Sequence, residues 1–122
     1  MADLHRQRGI QSELLAADFL QARGLKVLAR NFRCKTGELD LVCLDHEVLA
    51  IIEVRQRRSQ EFGGALQSVT WCKQRKIIRA TRFFLQRQAG WAARAVRFDV
   101  VAVEGPPGAQ RLIWIKDAFR AT

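Results

Sequence analysis

The chain has 122 residues, 48% of them hydrophobic, which makes one globular domain and excludes a disordered chain. It carries 21 Lys+Arg against 12 Asp+Glu, a net charge of +9 that points to a polyanionic partner, nucleic acid before anionic membrane. The apolar run Val48 to Ile52 is far short of the roughly 20 residues that cross a bilayer, and the N-terminus has no signal-peptide pattern. No membrane association and a cytoplasmic location are therefore expected, with Cys34, Cys43 and Cys72 as reduced thiols, since no Cys-x-x-Cys spacing occurs.

In chain order, a first helix is predicted from about Gly9 to Arg23, with a wide apolar face of Leu14, Leu15, Ala16, Ala17, Phe19 and Leu20 and a stop at Gly24. Strands are predicted over Lys26–Arg33, Glu38–Leu44 and Val48–Gln56, the last two closing a hairpin across Asp45-His46-Glu47. A Gly-containing loop, Ser59–Gly64, precedes a second helix over about Thr70–Gln88, capped by Thr70 or Ser68. Strands at Val96–Val103 and Leu112–Ile115 flank the turn Gly105-Pro106-Pro107-Gly108. The order α-β-β-β-α-β-β predicts an α/β fold, a mixed sheet with helices on its faces.

Period-two alternation puts Glu53 on one strand face with Leu49, Ile51, Arg55 and Arg57, a costly place for an unpartnered carboxylate. With His46-Glu47 as the turn, Asp40 faces Glu53; with Asp45-His46, the two are diagonal on one face. Either register brings two like charges together, which destabilises a hairpin unless something positive joins them. Arg55 is one candidate and a divalent cation the other; the bland alternative is a simple Arg55 or Arg57 ion pair. On the first helix Glu13 is ringed by Gly9, Ile10, Ala16 and Ala17, small and apolar neighbours that would aim it at the sheet. Together, Glu13, Asp40 and Glu53 as ligands of Mg²⁺ or Mn²⁺, with Asp40, Glu53 and Arg55 as the catalytic set, are the parts of a phosphodiester-cleaving site.

No acidic residue occurs between Glu61 and Asp99. On the second helix Ile77, Ile78, Thr81, Phe84 and Leu85 form the arc expected to be buried. Arg75, Lys76, Arg79, Arg82 and Arg87 fall opposite, with Phe83 among them. Lys73, Arg75, Lys76, Arg79 and Arg82 are the expected nucleic-acid contacts, since a merely solvated face mixes both signs. Asp99 is most simply an ion-pair partner of Arg97 on the same strand face, and the isolated His5 and His46 read as solvated.

Gly9-x3-Glu13-x2-Ala16, Arg30-Asn31-Phe32-Arg33, Gly37-Glu38-Leu39-Asp40-Leu41, Glu53-Val54-Arg55, Val69-Thr70 with Lys73, Arg97-Phe98-Asp99-Val100-Val101 and Ala118-Phe119 resemble the YraN family of bacteria. That family is similar to the PD-(D/E)XK, or restriction-endonuclease-like, superfamily, which includes Holliday junction resolvases. The resemblance implies a shared α-β-β-β-α-β core. It also implies an endonuclease on DNA, branched or damaged, with Glu13, Asp40 and Glu53 at the acidic metal positions. A junction-cutting enzyme would act as a homodimer. Arg55 stands where a lysine is expected, and a guanidinium stays charged and cannot act as a base. A slow nuclease, a non-catalytic nucleic-acid-binding module and a protein adaptor are the readings this leaves.

Overall fold

The computed structural model describes residues 2–57 and 67–121. Helix α1 spans Ala2–Ala22, followed by β1 (Lys26–Cys34), β2 (Gly37–Asp45), β3 (Val48–Arg57), α2 (Trp71–Arg87), a single 3₁₀ turn at Ala89–Trp91, β4 (Val96–Glu104) and β5 (Arg111–Phe119). This is the predicted order. The loop expected over Ser59–Gly64 and the side chain of His5 lie outside the described residues. Among those residues no helix is long and apolar enough to cross a membrane.

The five strands form one sheet in the order β1-β2-β3-β4-β5. Only β3 and β4 run parallel, because the chain between them crosses over through α2. These two central strands are apolar on both faces and nearly continuous in burial, as strands covered by helices must be. Ile77, Ala80 and Phe84 of α2 pack on Leu39, Val42, Leu49, Ile51, Phe98 and Val100 on one face of the sheet. Ala16, Ala17 and Leu20 of α1 pack on Leu41, Cys43, Ala50, Ile52 and Val101 on the other.

The helix ends follow local chemistry. Gly24 (φ +92°) closes α1: its N–H reaches the Gln21 carbonyl, and the Leu25 N–H reaches the Leu20 carbonyl. That six-to-one bond, with Leu20 and Leu25 in one apolar cluster, is a Schellman stop. Thr70 caps α2 by accepting the Lys73 N–H at 3.2 Å. In the β4–β5 turn only glycine fits at position 105 (φ +99°), where a Cβ would lie 2.9 Å from the Ala109 carbonyl oxygen.

Three expectations are corrected. Helix α1 starts at Ala2 rather than Gly9, over residues that are good helix formers but carry no apolar periodicity. Its buried stripe is narrower than expected: Ala16, Ala17 and Leu20 face the sheet, whereas Leu14 and Leu15 are exposed. The two alanines bring the helix axis close, so residues flanking the stripe are left outside. Strand β5 continues to Phe119, past a bulge between the pairs Val100–Ile115 and Phe98–Phe119, where Asp117 takes φ +53°.

Candidate functional site

The β2–β3 hairpin turns at His46-Glu47, and its ladder runs from Asp45–Val48 to Leu41–Ile52. One further step would set Asp40 opposite Glu53, the first of the two registers considered. There Asp40 stops following the ladder. Its Oδ2 accepts the Val54 N–H at 2.9 Å, so a side chain replaces a backbone carbonyl between the strands. Asp40 is 8% exposed and Glu53 5%, and their carboxyl groups are hydrogen-bonded to each other. Two buried carboxyls in contact cannot both ionise freely. Burial first, then the charge of Asp40, pushes Glu53 up to about 8 against the pull of Lys73 and Arg55. Burial also raises Asp40, opposed by the Val54 N–H.

A break in the strand alternation creates this geometry. Leu39 packs under α2 but Leu41 packs under α1, although residues two apart on a strand should share a face. In β1 the facing position, between the pairs Arg30–Leu41 and Phe32–Leu39, is Asn31 in the left-handed region (φ +52°). Asn31 hydrogen-bonds Glu13 of α1. Burial and then the Asp40 charge raise the Glu13 carboxyl, while the Asn31 bond lowers it. Glu13 is thus within electrostatic range of Asp40, yet engaged by Asn31. Among the described residues no three Asp, Glu, His or Cys side chains form a metal-holding group. Asp40 and Glu53 thus form the close pair, with Glu13 within electrostatic range of Asp40 and beside Asn31.

Two cations approach the pair. Arg55 Nε and Lys73 Nζ each lie 3.9 Å from Glu53 Oε1, too far for a hydrogen bond. The buried Arg55 Nε has no hydrogen-bond partner. The simple Arg55–Glu53 bridge thus exists only as a long ion pair with its donor unspent. Lys73 is expected from the sequence only as a nucleic-acid contact, and the fold brings its ammonium group to Glu53. The signal was in the spacing: Lys73, Ile77, Ala80 and Phe84 follow the 4-3-4 rhythm of one helix face, and the last three are buried.

The remaining expected nucleic-acid contacts, Arg75, Lys76, Arg79 and Arg82, are exposed along α2. Lys73 and Lys76 also line, with Arg33, Cys34, Gly37 and Glu38, a cleft of about 370 Å³. A larger cavity of about 650 Å³ sits toward the other end of α2, between Ile78, Arg82 and Leu85 and the β4–β5 residues Phe98 and Phe119, and contains neither buried carboxyl. Asp99 is bound up structurally. Arg97 donates from Nε to Oδ1 at 2.8 Å and from Nη2 to Oδ2 at 2.9 Å, and the Trp114 indole and the Asp117 N–H complete its shell.

The donor set suits a hard divalent cation. Asp40 and Glu53 offer carboxylate oxygens, and the pair is short of positive charge in just the way a shared proton relieves. A measurable consequence follows for the metal-free protein. The folded pKa of Glu53 lies above the unfolded value of 4.5, so the folded chain binds the extra proton between those two values. Stability contributed by that proton is complete below about pH 4.5 and is lost as pH rises toward 8. Thermal melts in EDTA are expected to show Tm falling across this window, and Mg²⁺ or Mn²⁺ at pH 8 is expected to restore it by binding the folded state. A flat Tm with no response to metal would contradict both the shared proton and the cation site.

The family model described as "Uncharacterised protein family UPF0102" matches residues 12–103. A UPF0102 protein of Nitrosococcus oceani is 47% identical over 116 residues, covering 95% of this chain and 94% of that one. One from Pseudomonas syringae pv. syringae is 48% identical over 115 residues, with 93% and 94% covered. One from Ectopseudomonas mendocina is 46% identical over 117 residues, with 96% and 98% covered. The matched span takes in Glu13, Asp40, Glu53, Lys73 and Asp99 together with most of the sheet, and the chain belongs to the UPF0102 family, the YraN-like family that its motifs resemble.

Proposed function

We propose that this chain is a nucleic-acid-binding protein with a divalent-metal-dependent endonuclease site acting on DNA, branched or damaged. The observation that carries the reading is the buried contact of Asp40 with Glu53, with Arg55 and Lys73 at equal distance from one Glu53 oxygen. A structural ion pair would normally match one cation to one carboxylate with direct hydrogen bonds. Here Arg55 and Lys73 both stand at ion-pair distance from one Glu53 oxygen without a direct hydrogen bond, so neither is committed to a single carboxyl. The net charge of +9 and the acid-free helix α2 supply attraction for a phosphate backbone.

In this reading Asp40 and Glu53 would hold Mg²⁺ or Mn²⁺, with Glu13 adding negative charge at the edge. Bound there, such an ion would supply Lewis acidity toward the scissile phosphate and toward a water. A water oxygen bonds to phosphorus and gives up a proton to solvent, the bond from phosphorus to the leaving sugar oxygen breaks, and that oxygen takes up a proton from solvent. Arg55 and Lys73 stabilise the charge that gathers on the phosphate oxygens. Arg55 remains a fixed cation and does no proton transfer.

The test incubates purified protein with supercoiled, linear and four-way-junction DNA in Mg²⁺, Mn²⁺ or EDTA. Metal-dependent cutting is expected, falling by at least about 100-fold in Asp40→Asn and by about 10- to 100-fold in Lys73→Met. Salt-sensitive binding should persist in Asp40→Asn. Binding without any cutting, unchanged by metal or by Asp40→Asn, would leave a non-catalytic binding module and remove the nuclease.

A further inference from the structure

Trp71, the first residue of α2, is 68% exposed, the most exposed large apolar side chain among the described residues. Indole is seldom left so open in a folded protein. The Arg75 guanidinium lies 5.0 Å from the centre of its ring, one helical turn on. Trp71 and Lys73 are two residues apart on the helix and so point about 160° apart: Lys73 reaches the carboxyl pair, and the indole lies on the outward side. At about 100° per residue, Trp71, Arg75, Arg79 and Arg82 share one outward arc, within about 80° of one another and running about 16 Å along the helix. The helix thus presents an aromatic ring in line with a row of cations on its outward side. No acidic side chain of α2 opposes them.

We infer that Trp71 is a stacking platform for an unpaired nucleobase on the outward side of α2, with Arg75, Arg79 and Arg82 following the backbone of the same strand. This rests on the nucleic-acid reading above and narrows its substrate class. In a continuous duplex each base is stacked on its neighbours, and an aromatic side chain finds no free face. A single strand, a flap or the open centre of a branched molecule offers one. Stacking on an aromatic ring is tolerant of sequence, and a neighbouring guanidinium adds cation–π attraction to the same base. The charge of the arc favours a nucleic acid over an apolar protein partner for the same indole. A partner protein would cover an aromatic patch more readily where the rim mixes both signs.

The experiment measures fluorescence anisotropy of labelled DNA in EDTA, so that cutting does not interfere. The probes are a single strand, a flap and a blunt duplex of the same sequence. The proteins are wild type, Trp71→Ala and Trp71→Phe, with circular dichroism confirming that each is folded. Trp71→Ala is expected to weaken binding to the single strand and the flap by about 5- to 100-fold, with duplex affinity changing less than about twofold. Trp71→Phe should recover most of the loss. Equal losses on all three probes, or none on any, would overturn the platform. So would a wild-type protein that binds no DNA while Trp71→Ala loses a protein partner. The two proposals fail separately. Selective loss on unpaired DNA with no metal-dependent cutting removes the nuclease and keeps the platform. Metal-dependent cutting together with equal losses of Trp71→Ala affinity on all three probes does the reverse.

Discussion

Glu53→Gln is expected to make the metal-free protein more stable and to abolish metal-dependent cutting. At pH 8 in EDTA the wild-type pair is under pressure to hold a second negative charge in a buried position, where Glu53 is pushed up to about 8. A glutamine keeps the shape, removes the ionisation, and can still hydrogen-bond Asp40. The relief is on the order of 3 kcal/mol at alkaline pH, about 10 °C in Tm for a chain of this size, and close to nil near pH 4.5. The fall in Tm with rising pH should therefore flatten in the variant. On the nuclease reading, metal-dependent cutting should drop by at least about 100-fold, since that reading makes Glu53 one of two carboxylate ligands. The contrast is informative because a purely structural carboxylate would give the opposite sign: its removal would lower Tm. Melts of both proteins at pH 5 and 8, with and without Mg²⁺, decide the matter. A Glu53→Gln protein less stable than wild type at pH 8 in EDTA would show that the pair is a fixed structural contact.

The second large effect concerns stability alone. Asp99 is completely buried and accepts bonds from Arg97, Trp114 and the Asp117 backbone. Arg97 continues to Asp45 at 2.8 Å and holds that carboxyl below the usual carboxylate range. The network ties β2, β4 and β5 together on the α1 side of the sheet. Asp99→Ala would strand the Arg97 charge and leave the Trp114 and Asp117 donors unpaired. Breaking a buried pair in this way costs about 3–5 kcal/mol, a large part of the 5–15 kcal/mol that holds a typical domain. Denaturant melts should show that loss, with the affinity of the remaining folded protein for DNA unchanged. Asp99→Asn, which keeps two acceptor lone pairs, should lose less. A loss below about 1 kcal/mol for Asp99→Ala would mean that water replaces the carboxylate without difficulty.

Much of the site was legible before the fold. The three-residue gap read between β2 and β3, Asp45-His46-Glu47, fixes the register within one step, and alternation then brings Asp40 to Glu53 whichever step is taken. Arg97 and Asp99, two apart on a strand, had to share a face. Thr70 precedes the helix at a position where its hydroxyl can reach the Lys73 N–H. These are short-range relations, set by strand and helix periods.

What escaped is where a period is broken or where distance in the chain is large. Asn31 takes a left-handed conformation inside a strand; asparagine tolerates that region, but its place in Arg-Asn-Phe-Arg reads as strand. Glu13 lies by Asn31, within electrostatic range of Asp40. Lys73 was readable from its helix face, which it shares with Ile77, Ala80 and Phe84. Leu14 and Leu15 lie beside the α1 stripe, and which side chains cover the sheet depends on how closely Ala16 and Ala17 let the helix approach.

By itself the sequence determined the element order, the hairpin and the meeting of two carboxyls, because each follows from local geometry repeated every two or 3.6 residues. Only the tertiary structure decided that Lys73 joins Arg55 at Glu53, that Glu13 lies by Asn31, and that the Trp71 indole is left open on the outward side of α2. Those are choices among packings that the local periods permit equally, and they are settled when two helices close on opposite faces of one sheet.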